Sequence, residues 1–328
     1  MEIITLKGLT KKFNGFTAVD SLNFSVEEGE IFGFLGPNGA GKTTTLSMLA
    51  TLLEPTSGGA VVNSFNIKTN KDDVRKSIGI VFQDPSLDEE LTAYENMDFH
   101  GRLYRVPKEL RKKKIIELLK LVELEERKDD LVKKFSGGMK RRLEIARGLL
   151  HEPKILFLDE PTLGLDPQTR NHLWEYIEKL NKEKHITIIL TTHYMEEADK
   201  LCDRIAIIDK GRIIVLNTPE NLKEDVSGDI ITVETSDAHK LYSQIQKFSW
   251  FKSAKQHDGF ITINLKNAEK HVAEIVKLSD NNYINIKSIS IHKPTLEDVF
   301  LHFTGRMIRE EEATSKDNMR MMRRLWRR

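Results

Sequence analysis

Among 328 residues the sequence has one cysteine, Cys202, so no disulfide can form within the chain. That fits a reducing compartment, and the thiol reads as a small buried hydrophobe. Long apolar runs are also missing. Stretches such as Ile155 to Leu158 and Ile186 to Leu190 fall far short of the roughly 18 residues that a membrane helix needs, so any membrane span has to come from another polypeptide. The opening Met1-Glu2-Ile3-Ile4-Thr5 has neither the basic start nor the apolar stretch of a secretory signal, and no export is implied. Nor is one sign of charge in surplus: 51 Lys and Arg against 50 Asp and Glu leave a net charge of +1, which gives no electrostatic reason to expect a nucleic-acid partner. No repeat of solenoid period is visible, and no low-complexity linker divides the chain.

What is present is the material of a folded protein. Apolar residues make up 39% and charged residues 31%, which excludes disorder throughout, and the length exceeds what one core usually organises, so two domains are expected. Glu30 to Leu35 reads as a buried strand running into a glycine-rich turn. Thr43 to Leu53 follows with apolar residues at helical spacing, until Pro55, Gly58 and Gly59 stop it. Leu103 to Leu150 has the texture of charged amphipathic helices. From Pro153 to Asp209 short apolar strands alternate with a helical segment around Asn171 to Asn181, which argues for a parallel sheet covered on both faces, an α/β fold. After Leu216 two strand–helix periods follow (230–234 with 239–247, then 261–265 with 268–278). A strand at 251–255, a last strand at 283–292 and a helix at 295–303 complete a small α+β domain of ferredoxin-like topology. The expected boundaries are 1–225, with a helical subdomain at about 84–150, then 226–305 and a basic tail at 306–328.

Residues 36 to 43 read G-P-N-G-A-G-K-T, which satisfies G-x-x-x-x-G-K-[ST] between a strand and a helix, the context that motif requires. Gly36, Gly39 and Gly41 let the backbone turn tightly enough for successive N–H groups to face phosphate oxygens, with the positive end of the next helix behind them. Lys42 neutralises the outer phosphates, Thr43 offers its hydroxyl to Mg²⁺, and Asn38 and Thr44 complete the nucleotide-binding set. The strand ILFLD then delivers Asp159 and Glu160 at its carboxyl end, where ligands bind in open α/β sheets. Acids capping a strand toward solvent are common. Beside a phosphate loop, the reading is Asp159 as a Mg²⁺ ligand and Glu160 as the group that accepts a proton from, or orients, an attacking water.

Between these sites lies Phe135-Ser136-Gly137-Gly138-Met139, ahead of a good helix. In isolation Ser136 is an ordinary N-cap. In this position the chain resembles the ATP-binding subunits of ABC transporters, whose signature is L-S-G-G-Q, with Phe here for Leu and Met for Gln. The resemblance implies a P-loop NTPase core of the ABC ATPase kind, with ATP and Mg²⁺ as cofactors. It also implies that Ser136, Gly137 and Gly138 bind the nucleotide of an opposing copy, that Gln83 in IVFQD reaches metal and water, that Asp166 lies in a loop meeting the partner, and that His193 contacts the γ-phosphate. Phe13 occupies the place where the family stacks an aromatic ring on adenine, though a core role is as good a reading of a lone aromatic there. Glu160, His193 and Gln83 form the expected catalytic set, and Thr43, Gln83 and Asp159 the metal set.

The same resemblance implies a head-to-tail homodimer, or a pair with another ATPase, and a separate transmembrane permease met by residues 87 to 104, including Leu91, Tyr94, Glu95 and Asn96. It places the chain in the cytoplasm, peripheral at the inner face of the membrane. Pro294-Thr295-Leu296-Glu297-Asp298-Val299-Phe300 with Thr304-Gly305 is similar to the carboxyl end of daunorubicin-type exporter ATPases, which implies outward transport. An ABC protein acting on ribosomes or nucleic acid is the alternative. Ribosome-acting members carry two ATPase units and DNA-repair members a long coiled-coil insertion, whereas this chain has one unit and a short insertion. In the tail, Asn318 to Arg328 holds five arginines and no acid, with Met319, Met322 and Trp326 interleaved. It reads either as a disordered solubilising segment or as a short amphipathic helix for an anionic membrane.

Overall fold

The structure, a computed structural model, describes residues 1–304 except Ser227, Lys252, Asp258, Lys266 and Asn267. The basic tail and both readings of it lie outside the described residues. The chain divides into two compact units, Met1–Leu216 and a second beginning at Asn217.

The first unit opens with a long hairpin, β1 (Glu2–Phe13) and β2 (Phe16–Glu27). Then come β3 (Ile31–Leu35), α1 (Lys42–Leu49), β4 (Ser57–Val62), β5 (Phe65–Asn66), α2 (Lys71–Ser77) and β6 (Ile78–Val81). Three helices follow, α3 (Ala93–Leu103), α4 (Lys108–Leu121) and α5 (Gly137–Leu149). The chain returns to the sheet through β7 (Ile155–Asp159), α6 (Pro167–Lys184), β8 (Thr187–Thr192), α7 (Met195–Leu201), β9 (Arg204–Asp209) and β10 (Arg212–Asn217).

The central sheet has the order β10-β9-β3-β8-β7-β6, and the pairs from β9 to β6 are parallel. Every residue of β3, β7 and β8 is buried, as expected for strands covered on both faces. An antiparallel sheet, β2-β1-β4-β5, supplies one cover. Between the sheets, Phe24 stacks on Phe32 with centroids 5.2 Å apart and meets Phe34 edge-on, and α1 adds Leu46, Met48 and Leu49 to the same core. Register shifts interrupt the pairing of β1 with β2 at Leu6/Leu9 and Leu9/Lys11. Such bulges break the period-two alternation that would announce two twelve-residue strands. The first helix ends earlier than its apolar spacing suggests. Thr51 takes a left-handed backbone at φ 60, and the amides of Leu52 and Leu53 both turn back to the Ser47 carbonyl.

In α3, Thr92 and Glu95 form a reciprocal capping box, and the buried Arg111 of α4 holds Asp98 at 2.6 Å. Helix α5 lies close against β6, where a Cβ on Gly79 would stand 2.4 Å from the Gly148 carbonyl oxygen.

The second unit contains α8 (Pro219–Val226), β11 (Asp229–Thr235), α9 (Ala238–Ile245), β12 (Ser253–His257), β13 (Phe260–Leu265), α10 (Val272–Asn281), β14 (Ile286–His292) and α11 (Leu296–Thr304). Its sheet runs β12-β13-β11-β14, antiparallel throughout, which is the ferredoxin-like arrangement. Ile231, Val233, Ile261 and Ile263 pack under Leu241, Ile245 and Ile275. Helices α8 and α11 contact each other and bury Leu222, Val299 and Phe300. Strand β14 starts three residues later than its apolar run suggests, because Tyr283 stands 96% exposed in a turn at φ 55.

At the α3–α5 contact, Tyr104 stacks on His151 at 3.9 Å and lies 4.8 Å from His100. Burial, with the charge of Arg147 and the His151 ring, lowers the His100 pKa to about 4. The unfolded chain then protonates this histidine first, so stability falls as pH drops from about 6.5 toward about 4. His100→Phe should flatten the pH dependence in that window, which urea unfolding midpoints at pH 4.5 and 7 will measure.

Candidate active site

Strand β3 carries the chain to the carboxyl edge of the parallel sheet, and the loop from Gly36 to α1 turns back over it. At Gly36 a Cβ would stand 2.2 Å from the Ile208 carbonyl oxygen; at Gly41, with φ 105, it would stand 2.5 Å from that of Ala18. Neither position admits a side chain without moving the loop off its supports. Helix α1 starts with no side-chain cap and no acid in its first turn, so its amino end is a ready anion site. Lys42, 5% exposed, donates to the carbonyls of Gly36 (2.7 Å) and Pro37 (3.1 Å), and its Nζ lies 3.4 Å from Glu160 Oε1. Asn38, Gly39 and Thr43 are exposed and Thr44 half-buried.

The second half of the site comes from β7 and β8. Thr43 Oγ1 donates to Asp159 Oδ1 at 3.1 Å, and Thr191 Oγ1 donates to the same oxygen. Glu160 is 6% exposed and has a left-handed backbone, φ 47, an unusual conformation for a residue with a side chain. Its amide donates to both the carbonyl and the hydroxyl of Thr191, each at 3.1 Å. The side chain thereby turns to meet Lys42 on one oxygen and His193 Nδ1, 3.0 Å away, on the other. Burial pushes the Glu160 carboxyl up, but the His193 hydrogen bond and the Lys42 charge outweigh it and hold the group below its usual range.

Gly36, Lys42, Thr43, Asp159, Glu160 and His193 therefore form one connected cluster. The others reach it less directly. Val81 pairs with Leu158, so the exposed Gln83 leaves β6 level with the acidic end of β7. Ser136 caps α5, accepting from the Met139 amide at 3.3 Å. With Gly138, Met139 and Thr169 it lines a cavity of about 260 Å³. Among the described residues, that bond keeps Ser136 within its own helix and does not tie it to Lys42 or Glu160. Phe13 is 42% exposed at the β1–β2 turn, with Lys11 Nζ 5.0 Å over its ring, so it is not a core residue.

The sequence matches the family model described as ABC transporter over residues 19–163. Residues 218–304 match that of the ATP-binding protein DrrA1-3-like C-terminal domain. Among curated proteins, the linearmycin resistance ATP-binding protein LnrL of Bacillus subtilis is 39% identical over 94% of this chain and 100% of its own. The daunorubicin/doxorubicin resistance ATP-binding protein DrrA of Streptomyces peucetius is 36% identical over 96% and 97%. Among solved structures, a dimeric post-hydrolysis state of the ATP-binding cassette MJ0796 bound to ADP and Pi is 32% identical, with a TM-score of 0.59 over 66% of this chain and 98% of that one. The chain belongs to the ATP-binding subunits of ABC transporters. Its core is the ABC ATPase fold, and its activity is ATP hydrolysis that drives transport.

Three buried residues of this ATP-binding subunit carried no signal of their own in the sequence. Thr191 bridges Asp159 and the Glu160 amide; its only clue was its place two residues before His193. Glu197, fully buried, accepts from Thr162 Oγ1 (2.8 Å) and Trp174 Nε1 (3.1 Å), and burial pushes its carboxyl up. Arg141 of α5 donates to the Asp159 and Pro161 carbonyls at 2.7 and 2.9 Å. Thr191→Val keeps the shape of the side chain and removes the bridging hydroxyl. Asp159 Oδ1 keeps the Thr43 hydroxyl and the Glu160 amide keeps the Thr191 carbonyl, so the cost should be that of one hydrogen bond to a carboxylate, about 1.5–3 kcal/mol, and denaturant unfolding will read it.

Proposed function

We propose that the chain binds ATP with its triphosphate on the loop from Gly36 to Thr44 and hydrolyses it with Glu160 as general base. The observation that carries this reading is the cluster of Lys42, Glu160 and His193, in which a buried cation stands at the mouth of the loop and a carboxylate held ionised stands beside it. Lys42 would transfer its contacts from the loop carbonyls and Glu160 to the outer phosphates. That frees Glu160 to orient a water and accept its proton, while His193 meets the γ-phosphate.

Mg²⁺ fits the residues present. The Thr43 hydroxyl and Asp159 carboxylate already share a hydrogen bond at the loop's edge, and an all-oxygen donor set is what this hard cation takes. Thr43, Asp159 and Gln83 would hold it, and bound there it would neutralise charge on the phosphate oxygens. Phe13, with an exposed ring face, would stack on adenine.

Ser136, Gly137 and Gly138 would close on the nucleotide of a second copy, giving a head-to-tail homodimer with two shared sites. Three things support this: the exposed hydroxyl of Ser136, the cavity beside it and the dimeric state of the MJ0796 relative. The exposed side chains of α3, Phe99 and Leu103, suit contact with a separate permease, within the surface at 87–104. No helix among the described residues is long and apolar enough to cross a membrane, so the permease would supply the span and hold this chain at the inner face. With relatives whose names record resistance to linearmycin and to daunorubicin, outward transport of hydrophobic compounds is the reading best supported.

Lys42→Ala should abolish tight ATP binding in equilibrium titrations, and unchanged affinity would refute the cradle. Glu160→Gln should keep nucleotide and lose turnover by about 10²-fold or more; full hydrolysis would remove Glu160 as the base. Chains carrying Ser136→Arg, mixed with chains carrying Lys42→Ala, should regain part of the lost turnover, since each mixed dimer keeps one intact site. No recovery would count against shared sites.

A further inference from the structure

Arg141 lies one turn into α5, the helix that Ser136 begins, and is only 7% exposed. Its guanidinium donates to three main-chain carbonyls on two separate stretches of chain. Nε donates to the Pro161 carbonyl at 2.9 Å, Nη2 to that of Asp159 at 2.7 Å, and Nη1 to that of Phe82. Glu144, one turn on and 2% exposed, balances the charge from 3.1 Å. The identity of the three carbonyls is the informative part: Asp159 and Pro161 flank Glu160, and Phe82 immediately precedes Gln83. A planar fork of donors holds its carbonyls in fixed relative directions, whereas a lysine ammonium, a point donor on a flexible stem, does not set that geometry.

The same helix also grips the chain just beyond Gln83. Glu144 accepts from the Ser86 amide at 2.7 Å, and Arg147 donates to the Ser86 carbonyl at 2.8 Å. Glu160 needs such support, because a left-handed backbone on a residue with a side chain persists only where its surroundings over-determine it.

We propose that Arg141 is a positioning residue that clamps the backbone on both sides of Glu160, and ahead of Gln83, to the helix headed by Ser136. This rests on the proposed roles of Glu160 and Gln83 in hydrolysis. In the proposed dimer the start of α5 meets the partner's nucleotide. Closure over one ATP therefore has a continuous polar path to the acid that acts on the other.

The test uses the full chain with Arg141→Lys, and with the double replacement Arg141→Met and Glu144→Met. The double variant removes the clamp without leaving an unpaired buried charge, so it keeps the test open if the single variant does not fold. Melting temperature, affinity for trinitrophenyl-ATP and steady-state hydrolysis of Mg-ATP are measured on each. Displacing a catalytic group by about an ångström costs up to about 10²-fold. The expected result is therefore a kcat down by about 10- to 100-fold, with nucleotide affinity and KM within about threefold of the parent. A kcat per nucleotide-binding chain within twofold of the parent, whatever the melting temperature, would overturn the proposal and leave Arg141 a structural residue. Loss of nucleotide binding in the variants alone would overturn it too, since Arg141 would then shape the cradle. A parent chain that binds no nucleotide would overturn the cradle and this inference together.

Discussion

The site depends on parallel strands that end at the same level. Because β3, β8, β7 and β6 are parallel neighbours or near neighbours, the loop after β3, the acids after β7, the His193 segment after β8 and Gln83 after β6 all emerge at one edge of the sheet. That alignment places Lys42 and Glu160 3.4 Å apart at 5% and 6% exposure. A buried ion pair is a poor way to gain stability, since removing two charges from water costs several kcal/mol per ion and mutual attraction only partly offsets it. Here the cation keeps contacts with two carbonyls and the anion with an imidazole. Groups so arranged can exchange one partner for a phosphate without either charge being stranded.

Contiguity decided how much of this was legible in the sequence. The phosphate loop is read from eight consecutive residues because its work is done by its own backbone, and ILFLD-E declares itself because a fully buried strand has to be apolar throughout. The parallel sheet followed from the alternation of such strands with helices, and the ferredoxin-like order of the second unit from its succession of strands and helices. What stayed hidden involved partners distant in sequence. Nothing in K-R-R-L-E-I-A-R says that Arg141 faces inward onto three carbonyls while its neighbour Arg142 bonds the Val122 carbonyl and Glu123 near the surface. Thr191 was equally silent, as a threonine in a strand is commonplace until the strand beside it ends in Asp159. For Phe13 the sequence left two readings open, and only the fold shows that its ring is exposed.

The bulged hairpin of β1 and β2 shows a different kind of loss. Its strands are long, but each register shift resets which residues face the core, so the alternation never runs far enough to be counted. The hairpin nonetheless bears on the phosphate loop, because β2 supplies the Ala18 carbonyl that leaves no room for a side chain at Gly41. Loop and hairpin constrain each other: the glycine is required by a strand that is itself hard to see in the sequence.

The departures from the family signature have separate physical meanings. Phe135 is 6% exposed with the Arg127 guanidinium 5.8 Å from its ring, so the position asks for a large apolar side chain, and phenylalanine serves as leucine would. Met139 is different, because it lines the same cavity as Ser136 and a thioether has no hydrogen to donate. The groups suited to phosphate, the Ser136 hydroxyl and the amides at the start of α5, do not depend on that side chain. Replacing glutamine by methionine therefore leaves the groups proposed to meet phosphate unchanged and removes an amide donor from one wall of the cavity, which the neighbouring Arg142, Thr169 and His172 still line with polar groups.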